Sequence, residues 1–186
     1  MWPLGHAAVG YLCYTLAART RFGRPPGEIA VLVLLLGTQF PDLVDKPLGW
    51  YLGVLPTGRT LAHSLLLLVP LSIGAVLLAR RYGRPYGPAF ALGALSHVLV
   101  DVLPALWGAA DPNILLWPVL PIELYESGAP SVIELFLESF GDPYVLLEFV
   151  LAALALVYWR RDGYPGLEPI RAAIGRVLSR SSRIES

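Results

Sequence analysis

At 186 residues, with 14 basic and 14 acidic side chains, the chain is one domain long and carries no formal net charge, which removes any global electrostatic case for nucleic-acid binding. Its side chains are 55% hydrophobic and only 15% charged, against about a quarter charged in an ordinary soluble domain. The single cysteine, Cys13, excludes an internal disulfide framework and a cysteine-rich zinc module.

The expected fold is therefore all-α: a polytopic transmembrane helical bundle of about five membrane segments plus interfacial helices. The apolar segments are Leu4–Ala18, Ile29–Val44, Leu61–Ala79, Ala89–Ala110 and Tyr144–Trp159. The first is not read as a removable signal peptide, because it lacks a basic leader and His6 interrupts its start. The third and fourth reach the length of a span easily; the others need flanking residues or a locally thinned bilayer. Asn113–Leu124 (NILLWPVLPIEL) is too short and too proline-broken to span, and reads as an interfacial or re-entrant piece, as does the amphipathic Ser131–Phe140.

Orientation follows from the cations. Arg19, Arg21 and Arg24 follow the first segment, and Arg80, Arg81 and Arg84 follow the third. Arg160, Arg161, Arg171, Arg176, Arg180 and Arg183 follow the fifth, leaving only Lys46 and Arg59 for the other side. The connector from Asp111 to Asp142 is acidic (Asp111, Glu123, Glu126, Glu134, Glu138, Asp142), without Lys or Arg, and reads as a solvated outer face. The positive-inside rule then puts the amino terminus outside and the carboxyl tail in the cytoplasm, in a multi-pass protein of the cytoplasmic (inner) membrane. Residues 1–159 form the membrane-embedded domain, and 160–186 form a basic juxtamembrane tail whose simplest use is an anchor on anionic lipid.

The chemistry gathers on one side. All three histidines, His6, His63 and His97, lie in or beside apolar segments, as do Asp42, Asp45 and Asp101. His97 and Asp101 stand one helical turn apart in an apolar run, about 6 Å along the axis. Such a pair is costly at membrane depth unless it faces a cavity, a partner or a metal. With the arginines inside, all six residues fall in one outward-facing layer contributed by four helices. Imidazole and carboxylate together suit Zn²⁺, Mn²⁺ or Fe²⁺. A metal site with an open position activates water for attack on an ester or phosphoester. Arg59 and Ser64, which flank His63 in sequence, are candidates to clamp a phosphate or orient a ligand.

The stretches that carry this layer, LGHAAVGYL, LGTQFPDLVD, RTLAHSLL, GALSHVLVD and ILLWPV, occur in this order between Gly5 and Pro118. Their order resembles the YdjM-like family of inner-membrane proteins regarded as metal-dependent hydrolases. The resemblance implies metal ligation by His6, Asp42, His63, His97 and Asp101, zinc foremost, with Asp45 as a further ligand or a base supporting the site. It also implies a distant similarity to zinc-dependent phospholipase C and P1-type nucleases, and so phosphoester hydrolysis. The chain departs from the family pattern at Gly58, where a histidine is common, at Ala62, where threonine is usual, and in the LPALWGAADPN stretch after Asp101. One or two metals are therefore expected.

The leading expectation is a membrane-bound metal-dependent hydrolase of a lipid or phosphoester substrate. Asp45 or Asp101 would accept a proton and Arg59 would clamp charge. The alternatives are a divalent-cation transporter, whose site would sit nearer the midplane with routes to both sides, and a non-catalytic membrane protein held together by its polar cluster.

Overall fold

A computed structural model of the chain describes residues 1–122, 133, 137 and 143–184, with side chains described as far as Ser179. Glu123, Glu126, Glu134, Glu138 and Asp142 lie outside the described residues, as does Ser131–Phe140 except at positions 133 and 137. Among the described residues there is no strand.

Each apolar segment becomes a helix: α1 (Pro3–Phe22), α2 (Glu28–Lys46), α3 (Leu65–Arg81), α4 (Gly87–Val102) and α5 (Pro143–Arg161). A further helix, α6 (Leu167–Ile184), forms the tail. The local signals are physical ones. Pro3 stands at the first turn of α1, where its missing N–H costs nothing, and Gly23 closes that helix at φ 64°. Ser64 caps α3 by accepting the Leu66 N–H at 3.2 Å.

The number of spans differs from expectation. Among the described residues, two helices are long and apolar enough to cross a membrane: Gly87–Trp107, in which α4 runs on into a 3-10 turn, and α5. α3 has 17 residues, or about 26 Å at 1.5 Å per residue, short of the roughly 30 Å hydrocarbon layer. Helix α1 carries His6, Thr15, Arg19 and Arg21, and α2 carries Glu28, Gln39, Asp42, Asp45 and Lys46. Arg19, Arg21, Glu28, Asp45 and Lys46 lie just beyond the apolar segment boundaries, and the helices include them. α2 also runs through Pro41 to Lys46 and continues as a π-helical turn over Pro47–Tyr51, so Asp42 and Asp45 ride on a helix.

The helices alternate in direction, which sorts the molecule into two ends. The N-termini of α1, α3 and α5 meet the C-termini of α2 and α4 at one end: the Met1 amino group contacts Asp101, and Glu148 of α5 accepts the Trp2 and Gly5 N–H groups. At the opposite end Arg19 pairs with Asp162, and Glu28 accepts the Gly166 N–H.

The α2–α4 contact sets the bundle's precision. A Cβ on Gly93 would lie 2.4 Å from the Leu34 carbonyl oxygen, and one on Gly37 would lie 2.5 Å from that of Phe90. Only glycine lets the two backbones come this close. Leu34 and Val31 pack there with Ala8, Tyr11 and Ala89, while Leu68, Ala94 and Val98 fill the α3–α4 side. The proline-broken stretch forms a 3-10 turn at Pro112–Leu116 that buries Ile114. It is fastened to the start of α3, where the Ser64 hydroxyl donates to the Trp117 carbonyl at 2.6 Å.

Candidate metal centre

The close α2–α4 crossing presents the backbone of one helix to a side chain of the other. The Thr38 carbonyl of α2 lies 2.6 Å from His97 Nδ1, and a carbonyl only accepts, so Nδ1 carries the proton. Across the site, His63 Nδ1 lies 2.8 Å from Asp45 Oδ2. Both imidazoles therefore turn an Nε2 lone pair inward, and those two Nε2 atoms face each other at 3.3 Å. Two acceptors at that distance repel unless something positive lies between them.

The carboxylates complete the arrangement. Asp42 Oδ1 is 3.7 Å from the Nε2 of both His63 and His97, and Asp101 Oδ2 is 3.7 Å and 3.8 Å from the same two atoms. Both oxygens are buried and lack a hydrogen-bond partner. One ligating atom from each of Asp42, His63, His97 and Asp101 fits within a 4.8 Å span. Ligands at about 2.0–2.2 Å from a tetrahedral ion stand about 3.3–3.6 Å apart, so the donor set fits a divalent cation with little movement.

The other expected site residues fall around these four. Asp45 is fully buried, and its two oxygens accept the N–H groups of Thr60 and Ala62 at 2.8 Å and of His63 at 3.2 Å, besides the His63 ring. These contacts shape the 60–63 turn and fix the His63 tautomer. His6 lies beside the four: its ring stacks on His97 at 3.7 Å between centroids. Its Nε2 faces the Met1 carbonyl at 3.1 Å and Asp101 Oδ1 at 3.2 Å. Both neighbours are acceptors, so Nε2 is the donor and His6 steadies Asp101. Ser64 is buried, its hydroxyl capping α3 and donating to the Trp117 carbonyl. Arg59 reaches Asp101 Oδ2 with its Nε at 3.2 Å, and 37% of its side chain is exposed. Together with Asp42, the least buried of the four, it marks the mouth of the site. Asp42 turns its other oxygen to Lys46, whose ammonium also lies over the Trp50 ring.

One residue of this region escaped the sequence reading. Glu148, 2% exposed within the apolar α5, caps α1 through the Trp2 N–H at 2.9 Å and the Gly5 N–H at 2.8 Å. This holds His6 against His97. The signal was present, since Glu148 is the one acidic or basic residue between Tyr144 and Trp159. It lies outside the His/Asp pattern, and nothing in the sequence tied it to α1.

Among known proteins, a family model described as YdjM inner membrane protein matches residues 1–166. No curated protein and no solved structure matches the chain.

Proposed function

The chain belongs to the YdjM inner membrane protein family, and from that premise we propose that it is a membrane-bound metal-dependent hydrolase of a phosphoester or lipid-linked ester. The observation that carries the reading is the cluster itself: two inward imidazole nitrogens and two buried carboxylate oxygens without a hydrogen-bond partner, all within a 4.8 Å span, with the partly exposed Arg59 guanidinium paired to Asp101 at the mouth. Asp42, His63, His97 and Asp101 would hold the cation, zinc first and manganese or iron next by ligand type. A bound divalent cation supplies Lewis acidity toward an ester oxygen and acidifies water.

The chain's own residues supply the rest. Asp45 and the Thr38 carbonyl keep the two imidazoles in one tautomer, which preorganises the site. His6 and the Met1 amino group hold Asp101 Oδ1, leaving Oδ2 for the centre. Arg59, at the mouth, presents a planar cation suited to a phosphate oxygen. Both carboxylates expected as proton acceptors are engaged, Asp45 by N–H donors and Asp101 by the Met1 amino group, His6 and Arg59, so their part in this reading is to position the site. The arginine-rich end faces the cytoplasm in this reading, which puts the site on the outer side.

The test is to purify the protein in detergent, quantify its metal, and assay a panel of phosphoesters and phospholipids with and without chelator. Chelator-sensitive release that is lost in Asp101→Asn supports the reading. Metal without turnover on any substrate, accompanied by ion flux in proteoliposomes, overturns it in favour of transport.

A further inference from the structure

The family match ends at residue 166, and α6 begins at Leu167. This helix starts from a tightly fixed turn: Gly163, Tyr164 and Gly166 all have positive φ, Trp159 Nε1 donates to the Pro165 carbonyl at 2.9 Å, and Glu28 of α2 accepts the Gly166 N–H at 2.6 Å. Trp159 and Tyr164 pack edge to face at 4.8 Å. Aromatic pairs at the end of an apolar span mark the headgroup level, so α6 leaves the bundle at that depth.

From Ile170 to Ser179 every residue of α6 is exposed. Ile170, Ile174, Val177 and Leu178 are 43–66% exposed and share an arc of about 100° on the helix. Arg171 borders this face, and Arg176 lies beyond its other edge. The arginines of the α1, α3 and α5 ends, Arg19, Arg21, Arg80, Arg81, Arg160 and Arg161, share this end of the molecule.

We propose that α6 lies flat on the membrane at the arginine-rich end, its isoleucine–valine–leucine face in the acyl boundary and its arginines on anionic headgroups. An unpartnered apolar stripe, flanking arginines and an origin at headgroup depth fit an anionic lipid surface as the occupant. The inference rests on α5 crossing the membrane and is independent of any metal or activity.

The experiment uses the full chain in nanodiscs, with Cys13→Ser to remove the exposed thiol, and one spin label introduced through Ile174→Cys or Ala172→Cys. These positions lie on opposite faces of α6 and neither packs in the bundle. In discs containing phosphatidylglycerol, the label at 174 is expected to be open to oxygen and shielded from a water-soluble nickel chelate, with the reverse at 172. Arg171→Gln, at the border of the apolar face, is expected to lower the immersed-to-free ratio about fivefold, and Arg176→Gln, on the side of Ala172, by less. Nickel access at 174 in anionic discs would overturn the proposal. So would equal immersion in phosphatidylcholine alone, or dipolar broadening between copies, which would make a second chain the occupant.

Discussion

The two ends of the bundle are built from the same kinds of residue and do opposite things with them. At the arginine-rich end Asp162 is surrounded by donors: Thr15 at 2.6 Å, Tyr11 at 2.7 Å and the Arg19 guanidinium. Burial works against its charge, but those hydrogen bonds and the Arg19 cation hold its carboxyl below the usual carboxylate range. At the other end Asp42 and Asp101 each turn a buried oxygen without a hydrogen-bond partner toward two imidazole lone pairs, with the Arg59 guanidinium beside that of Asp101. A polar cluster whose donors and acceptors balance is architecture. A cluster whose buried acceptors outnumber the donors that reach them is a place for a cation.

Mutation should separate the two ends, and the largest effect should fall on the centre. His97→Ala removes a ligand and is expected to weaken zinc binding by more than the roughly 10–100-fold that loss of an orienting partner costs. Asp45→Asn, which loses such a partner, is expected within that range; calorimetric titration of both reads the difference. Gly93→Ala sits between architecture and site. Its new Cβ, 2.4 Å from the Leu34 carbonyl, must push α2 from α4 at a cost of about 1–3 kcal/mol. It should weaken metal binding too, because the Thr38 carbonyl moves with α2. Thermal unfolding and metal titration on one preparation check both halves.

Smaller effects follow from the two capping carboxylates. Glu148→Gln keeps the side chain's shape but weakens two charge-assisted bonds, for about 1–2 kcal/mol of stability. Asp162→Asn is expected to cost about 1 kcal/mol and leave metal affinity unchanged. Its pH signature is specific. Because the folded Asp162 carboxyl titrates below its unfolded value, its contribution is complete above the unfolded value and is lost as pH falls through the folded one. Wild-type stability should therefore drop at acid pH below about 4, and Asp162→Asn should flatten that limb. A loss of metal affinity in Asp162→Asn would break the division between the ends.

Much of this was legible in the residues. Histidines and aspartates in apolar surroundings stand out because their burial needs a reason, and arginine counting put them on one end, where the structure also brings them. The helices were legible from hydropathy, but the number of spans was not. A run such as Ile29–Val44 looks like a span until Glu28 and Lys46, which belong to the same helix, are included. The division of labour inside the site was hidden as well. Asp45 and Asp101 look equivalent in sequence, and only the turn at 60–63 reveals that the first is saturated by N–H groups. Ser64 resembles a catalytic hydroxyl until its two partners are seen. Glu148 connects to Gly5 across 143 positions, a pairing that no local pattern encodes.

The most direct measurement is the metal content of the purified protein by mass spectrometry, comparing wild type with His97→Ala combined with Asp101→Ala after exhaustive dialysis. The wild type is expected to retain a stoichiometric divalent cation and the double variant none, with both chains folded by circular dichroism. A metal-free wild type that stays folded and takes up no cation on titration would contradict the account, as would equal metal in the two proteins.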